Sequence, residues 1–187
     1  MSFQSYTAKL IDKKTVKPDI YILTFALPPG QRVDFVAGQY LIMHVPQKNG
    51  EFARRLYSMA NSPDTDTIEL VVKRVEGGVA TKYVDAMKVG DEMAFQAPAG
   101  VFTMKDGGRD IIMLATNTGI VPFRSMILDE VHKGPLTRDI HLYWGMRRFS
   151  ELYYFDEFEE LAQKEPRFHR SRAHSPHLAP VHAIWAV

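Results

Sequence analysis

The sequence predicts a β-barrel followed by an α/β unit: an antiparallel barrel first, then a parallel sheet with helices. Short alternating segments separated by turn residues fill the first hundred positions. After residue 108 a continuous apolar strand leads into a loop and a helix, and the same order then repeats. The 187 residues are long enough for two small domains, which we place at 1–105 and 106–187.

The barrel is predicted from segments whose side chains alternate with a period of two. DIYILTFAL shows this period and is ended by Pro28, Pro29 and Gly30. Further strands of this kind follow between Gly, Pro, Asn and Asp turns: QYLIMHV, FARRLYSM, TIELVVKRV and EMAFQA. One helix interrupts them, because VATKYVDAMK places Val79, Val84 and Met87 close to one stripe.

The second unit is predicted from longer apolar and helical segments. DIIMLA is a continuous apolar run, which is typical of a parallel strand buried on both faces. The helix FRSMILDEVHKG follows, closed by Gly134 and Pro135. DIHLYWG is the next strand and SELYYFDEFEELAQK the next helix. Two strands and two helices close a core poorly, so this unit is predicted to be incomplete.

Composition excludes several classes of function. The chain has 45% hydrophobic and 24% charged residues and a net charge of +1, so no strong field attracts nucleic acid. No apolar run approaches the roughly 20 residues of a membrane span. The first residues lack the pattern of a secretory signal, which predicts a cytoplasmic protein. Because cysteine is absent, thiolate metal sites and catalytic cysteines are excluded from this chain.

The first motif is ARRLYSMANSP. In an extended strand Arg55 and Tyr57 lie on one face, with Leu56 and Ser58 on the other. A cation beside an aromatic ring suits a ligand that has both a phosphate and a flat ring. The alternative is a surface arginine packed over a tyrosine.

The second motif is EGGVATKYV. Gly77 and Gly78 lead into Thr81 and the start of a helix, where free backbone N–H groups can bind a pyrophosphate. The alternative is an ordinary glycine turn with Thr81 in the first helical turn.

The third motif is ATNTGIVPF. A buried parallel strand ends there in a polar turn, and Pro122 suits the first turn of the next helix. Open α/β sheets bind ligands at this end of their strands.

The three motifs, in this order, resemble the ferredoxin–NADP reductase family of flavoproteins, which includes the reductase components of bacterial oxygenases. The likeness runs from about Phe3 to Glu165. RLYS at 55–58, preceded by GQY at 38–40, resembles the family's R-x-Y-[ST] flavin motif. GVAT at 78–81 resembles its pyrophosphate turn, and TGIVPF at 118–123 its nicotinamide turn. LYWGMRRFSELYYFDEFEEL is similar to the strand and helix that approach the adenosine half of the nucleotide.

The resemblance implies a role for each residue of these motifs. Arg55 would pair with the FAD pyrophosphate, Tyr57 would pack against the isoalloxazine, and Ser58 would hydrogen-bond near flavin N5. Tyr57 and Ser58 are therefore the expected catalytic residues. The other residues expected to bind the flavin are Lys73 and Val75 along the ribityl and ribose, and Gly78, Val79, Ala80 and Thr81 at the phosphates. Those expected to bind the nicotinamide nucleotide are Thr116, Thr118, Gly119, Pro122 and Arg147.

The implied reaction is hydride transfer from NADPH or NADH to flavin N5, followed by release of single electrons to a ferredoxin, flavodoxin or oxygenase component. Two alternatives stay open. The chain can be a flavin-binding module whose second domain is too short to use NAD(P)H. It can also be a barrel and an α/β unit that bind no flavin, if the motif matches are accidental.

The sequence departs from the family pattern in two places. Asn117 stands where the family usually has glycine, and asparagine is the side chain that best tolerates a positive φ. After QKEPRF the family continues with an apolar strand that often closes in Ser-Arg, and with a Cys-Gly-Pro loop, whereas this chain reads HRSRAHSPH. We expect residues 169–187 to be an atypical, loosely packed tail, from a truncated or out-of-frame end. Pro176 and Pro180 prevent a helix from aligning its histidines, so no metal site is predicted.

Overall fold

The chain divides into two compact units. The structure is a computed structural model that describes residues 3–146 and 153–174. The first unit contains Met1–Lys105 together with Val121–Lys133, and the second contains Asp106–Ile120 and Gly134–Val187. The sequence predicts a single boundary near residue 105. In the structure, however, the helical segment Val121–Lys133, which begins within the TGIVPF motif, belongs to the first unit.

The first unit is built on a six-stranded antiparallel sheet that curls into an open barrel. The strands follow the order β4-β3-β6-β1-β2-β5, so β4 and β5 are its two edges. One isolated bridge, Met59 to Leu70, joins these edges. This confirms the predicted antiparallel barrel. The strands are β1 Gln4–Lys17, β2 Ile20–Ala26, β3 Tyr40–Pro46, β4 Phe52–Ser58, β5 Thr67–Lys73 and β6 Glu92–Ala99.

The core of the barrel lies on the inward faces of β1, β2, β3, β5 and β6, and β4 adds only partly buried side chains. Leu10, Leu23, Phe25 and Leu70 are fully buried there. The longest strand, β1, is not among the strands that the sequence predicts, although Ala8 and Leu10 alternate with polar neighbours in its first half. Its later residues are mostly charged, and a bulge after Leu10 interrupts the alternation. The period of two that would predict a strand is therefore weak over the second half of β1.

Two helices belong to the first unit. Helix α1, Val79–Ala86, confirms the predicted VATKYVDAMK helix, and α2, Ile120–Lys133, ends before Gly134 as predicted. Arg124 and Ser125 anchor α2 to the loop that follows β4. The Arg124 guanidinium donates to the backbone oxygen of Ala60 at 2.7 Å, and the Ser125 hydroxyl donates to that of Asn61 at 2.7 Å.

The second unit contains a parallel sheet in the order β7-β8-β9. Its elements are β7 Ile111–Thr116, β8 Ile140–Met146, helix α3 Phe155–Lys164 and β9 Phe168–His174. The α/β class is confirmed, but the expectation of a loosely packed tail from residue 169 is wrong for residues 169–174, which belong to β9. Residues 168–174, including Ser171 and Arg172, pair with β8 in parallel register. Residues 175–187, including His177 and His182, lie outside the described residues.

The prediction that DIIMLA is buried on both faces is also wrong. Met113 and Ala115 are buried, whereas Ile112 and Leu114 are 68% and 71% exposed. The reason is that β7 is an edge strand and, among the residues that the structure describes, one face of this sheet has no covering layer. A continuous run of apolar residues therefore does not show, for this strand, that both faces are buried.

The helices within residues 3–146 and 153–174 are all too short or too polar to cross a membrane.

Candidate functional site

A seam between β4 and β5 brings the flavin-like motif together with residues beyond it in the chain. The two strands run antiparallel through the Met59–Leu70 bridge. Residues before Met59 therefore lie opposite residues after Leu70. The bridge is isolated, so no hydrogen-bonded ladder continues along the rest of these two edges. RLYS at 55–58 borders one side of this seam, and Lys73 with Val75 borders the other.

Arg55 and Tyr57 share one face of β4, as the sequence predicts. Arg55 is paired with Met43 and Tyr57 with Leu41, whose side chains are both in the core. Tyr57 is half-buried and packs against the barrel core. Burial raises the pKa of the Tyr57 phenol, and the charge of Arg55 opposes that rise. The ring is therefore neutral near pH 7 and presents an aromatic surface at the seam.

Arg55 is an exposed cation available to an anionic ligand. Its guanidinium donates to the backbone oxygen of Arg54 at 2.8 Å. Among the described residues it forms no ion pair with a carboxylate. A single bond to a carbonyl leaves most of its five N–H donors for a phosphate.

The end of β4 is fixed by Gln39, a residue that sequence reasoning did not include among the site residues. The Gln39 side chain is 5% exposed, accepts from the Val36 N–H at 2.8 Å and donates to the Gly100 oxygen at 2.9 Å. Its own backbone oxygen accepts from the Met59 N–H at 3.2 Å. Gln39 thus positions the backbone directly after Ser58, which is half-buried. The only sequence signal for it was its place in the GQY triplet.

The turn at 75–81 is closed by two hydrogen bonds. The Gly78 N–H donates to the Val75 oxygen at 2.9 Å, and the Val75 N–H donates to the Thr81 hydroxyl oxygen at 2.8 Å. A Cβ on Gly78 would lie 2.9 Å from the Val75 oxygen, so the tight turn requires glycine there. The Thr81 hydroxyl keeps its proton available for another acceptor.

The N-terminus of α1 is suited to an anion. Gly78 is its N-cap residue, no side chain caps the helix, and the first turn contains no acidic residue. The first backbone N–H groups of a helix, here those of Val79, Ala80 and Thr81, have no partner within the helix. Together with the helix dipole they favour a negative group such as phosphate.

Lys73 and Val75 differ in their availability to a ligand. The Lys73 ammonium lies 3.6 Å from an Asp19 carboxylate oxygen, and both side chains are largely exposed. Val75 is 60% exposed and offers an apolar surface. Lys73 therefore already has a weak ion pair with Asp19, whereas the exposed side chain of Val75 is available to contact a ligand.

In the second unit the third motif forms a tight turn at the end of β7. Thr116 is the last strand residue, and Asn117–Gly119 make one turn of 3-10 helix before α2. Asn117 has φ 51°, the left-handed value that its asparagine predicts. The Trp144 indole N–H donates to the Asn117 backbone oxygen at 3.0 Å and holds the turn.

Gly119 follows at an exposed position. A Cβ built on it would meet no atom within 4 Å, so the protein itself does not require glycine there. Thr118 is half-buried beside it, and Pro122 lies in the first turn of α2 as predicted. Arg147 lies outside the described residues.

We expect Asn117→Val to destabilise the second unit and Asn117→Gly to be tolerated. A β-branched residue in the left-handed region costs about 1–2 kcal/mol, whereas glycine adopts it without strain. Urea unfolding followed by tryptophan fluorescence measures the free energy of unfolding, with Trp144 as a reporter beside the turn. A valine variant as stable as the wild type would contradict this conformation.

Family comparisons match both halves of the chain. The oxidoreductase FAD-binding domain model matches residues 7–104, and the oxidoreductase NAD-binding domain model matches residues 113–180. The first match contains the RLYS and GVAT motifs, and the second contains the TGIVPF turn.

Named relatives extend these matches. The chain is 38% identical over 165 residues to reductase component 2 of terephthalate 1,2-dioxygenase from a Comamonas species, covering 87% of this chain and 48% of that protein. It is 31% identical to ferredoxin–NADP reductase B of Sorangium cellulosum, covering 88% of this chain and 67% of the relative. The chain spans about half the length of the first of these relatives.

Solved structures share the fold. A cytochrome P450 reductase from Amycolatopsis superposes with a TM-score of 0.84 and 30% identity, over 95% of this chain and 54% of the other. The ferredoxin–NADP+ reductase of Plasmodium falciparum superposes with a TM-score of 0.82 at 18% identity, over 94% of this chain and 79% of the other, a likeness of fold alone.

Proposed function

The chain belongs to the ferredoxin–NADP reductase family of FAD-binding oxidoreductases, and from that premise we propose that it transfers electrons between NAD(P)H and a one-electron carrier. The observation that carries the proposal is the seam between β4 and β5, which the Met59–Leu70 bridge joins. Arg55, which has no carboxylate partner among the described residues, and the half-buried ring of Tyr57 lie on β4, and the uncapped N-terminus of α1 follows β5 in the chain. This donor set fits a ligand with a flat ring and a diphosphate.

The residues of the first unit would hold FAD by three kinds of contact. Arg55 and the α1 amides would bind the diphosphate, because both supply N–H donors with positive charge. Tyr57 would pack against the isoalloxazine, and Ser58 would donate a hydrogen bond beside its reacting nitrogen. Bound FAD supplies hydride acceptance and single-electron release. The protein needs no strong acid or base, and its contribution is orientation and exclusion of water.

The turn after β7 would receive the nicotinamide nucleotide. Thr116 and Thr118 have hydroxyl groups that can hydrogen-bond to a ligand. Gly119 is exposed and has no side chain, so a ligand could approach its backbone closely. The amides at the start of α2 can bind phosphate as those of α1 do. We include Arg147 among the residues that bind this nucleotide, with either NADPH or NADH as the donor.

The electron partner we propose is a ferredoxin, a flavodoxin or an oxygenase component. Support comes from the relatives, which are named as the reductase component of a dioxygenase, a phenol hydroxylase protein and a ferredoxin–NADP reductase.

A second candidate is a flavin-binding module that does not use NAD(P)H. It is favoured by the exposed apolar face of the second sheet, where Ile112 and Leu114 are uncovered. A parallel sheet normally has both faces covered. A nicotinamide site built on an incomplete layer would position its ligand poorly.

Anaerobic reduction distinguishes the two candidates. We expect the purified protein to bind FAD and absorb near about 450 nm, and NADPH or NADH to bleach that band within seconds. A protein that binds FAD and bleaches only with dithionite would support the module. A protein that takes up no FAD on reconstitution would overturn both.

A further inference from the structure

Helix α1 is held from its C-terminal end by a lysine on another strand. The Lys13 ammonium, on β1, donates to three backbone oxygens: Val84 at 2.6 Å, Asp85 at 3.1 Å and Met87 at 2.9 Å. These are carbonyls of the last turn and the C-cap; that of Val84 also accepts from the Met87 N–H at 3.2 Å, whereas those of Asp85 and Met87 lie where a helix has no further N–H to offer. The last turn of α1 contains no basic residue of its own. Lys13 therefore supplies the cation that this helix end lacks.

The helix needs such a tether because it is short. Eight residues are too few for an isolated helix to be stable in water. Its apolar anchors are the buried side chains of Ala80 and Val84, which fix one face against the barrel. Lys13 fixes its axial position, since all three of its acceptors lie at one end.

A second set of contacts holds the same end from the side. The Tyr21 hydroxyl donates to the Asp85 carboxylate at 2.7 Å, and the Arg74 guanidinium donates to it at 2.9 Å. These hydrogen bonds lower the pKa of the Asp85 carboxyl, that from Tyr21 most. The Lys13 ammonium also lies over the Tyr21 ring, 5.1 Å from its centroid. Because the Asp85 pairs are exposed, they contribute less than the two part-buried bonds of Lys13, to Val84 and Met87.

We propose that Lys13 is a positioning residue for the diphosphate of the flavin cofactor. A helix of eight residues is about 12 Å long and rigid, so holding its C-terminus determines where its N-terminal amides lie. Those amides, with Gly78 and Thr81, are the diphosphate ligands in the proposed function, on which this inference rests. Lys13 reaches none of them and acts through the helix.

Two ligands that differ in the diphosphate test this role. Riboflavin has the ring and ribityl chain of FAD but no phosphate. We expect Lys13→Met to weaken FAD binding about tenfold, the effect of losing charged hydrogen bonds, and to leave riboflavin binding within about twofold. Lys14→Met is the matched control, because Lys14 is the next residue, is exposed and pairs with Asp12. Lys13→Arg should recover part of the loss, since it keeps the charge.

Quenching of flavin fluorescence gives both dissociation constants, measured well below the unfolding midpoint of each variant. Equal losses of FAD and riboflavin affinity in Lys13→Met would reduce Lys13 to a general stabilising residue and overturn the proposal. Unchanged FAD affinity would overturn it as well. A wild-type protein that binds neither ligand would instead overturn the proposed function, so the two failures are distinguishable.

Discussion

Replacing Arg55 with alanine is expected to weaken FAD binding by about 10- to 100-fold, the cost of losing a charge-assisted hydrogen bond to phosphate. The fold should survive, because Arg55 is exposed and its single described hydrogen bond is to the neighbouring Arg54 oxygen. Tyr57 would still pack against the core and keep part of the ring contact. The purified variant should therefore lose its flavin on dialysis and recover it at high FAD concentration.

Arg54→Ala is the matched control for this experiment. Arg54 carries the same charge one position earlier, but its side chain lies on the opposite face of β4. In the strand register it stands opposite His44 of β3. Its loss should leave FAD affinity nearly unchanged. The FAD affinity of Arg55→Lys should fall between those of the wild type and Arg55→Ala, because a lysine keeps the charge but cannot make bidentate hydrogen bonds. Equal loss of flavin in the Arg54 and Arg55 variants would show that only net charge matters and would contradict the seam as the phosphate site.

Gly119→Val is expected to block reduction by NAD(P)H while sparing FAD. The open space around Gly119 accepts a side chain without a clash in the protein, so the variant should fold. The same side chain would displace a nucleotide bound against the turn, and a misplacement of about 1 Å costs on the order of 100-fold in rate. Stopped-flow measurement of flavin bleaching under anaerobic conditions gives this rate for NADPH and NADH separately.

Gly108→Val controls for the substitution itself. Gly108 also lies in the second unit, and a Cβ there also meets no atom within 4 Å, but it is not part of the turn. Dithionite should bleach both variants like the wild type, which shows that the flavin is intact. If Gly119→Val were reduced by NAD(P)H as fast as Gly108→Val, the nicotinamide nucleotide would bind elsewhere.

Local patterns predicted much of the candidate site. The alternation in β4 correctly placed Arg55 and Tyr57 on one face, because side-chain direction in a strand depends only on the backbone. Asn117 predicted its own left-handed conformation for a similarly local reason. The helix boundaries around Gly78 and Gly134 followed from the turn chemistry of glycine.

Features that depend on distant partners were missed. The strand β9 has a polar, histidine-rich sequence, and it forms because β8 offers a free edge for parallel hydrogen bonds. The exposure of Ile112 and Leu114 depends on which layers cover the sheet, which no property of DIIMLA expresses. Gln39 acquires its role from Val36, Gly100 and Met59, two of which are far from it in sequence.

The sequence by itself determined the two kinds of sheet and the three motifs, because each motif is a strand end or turn whose chemistry lies within a few residues. Only the tertiary structure decided that β4 and β5 become the two edges of one barrel joined at Met59 and Leu70, so that RLYS borders the same seam as the end of β5. It also decided that Lys13, 71 residues before Val84, caps α1. Strand order and such long-range contacts depend on how the whole chain packs, and no local period encodes them.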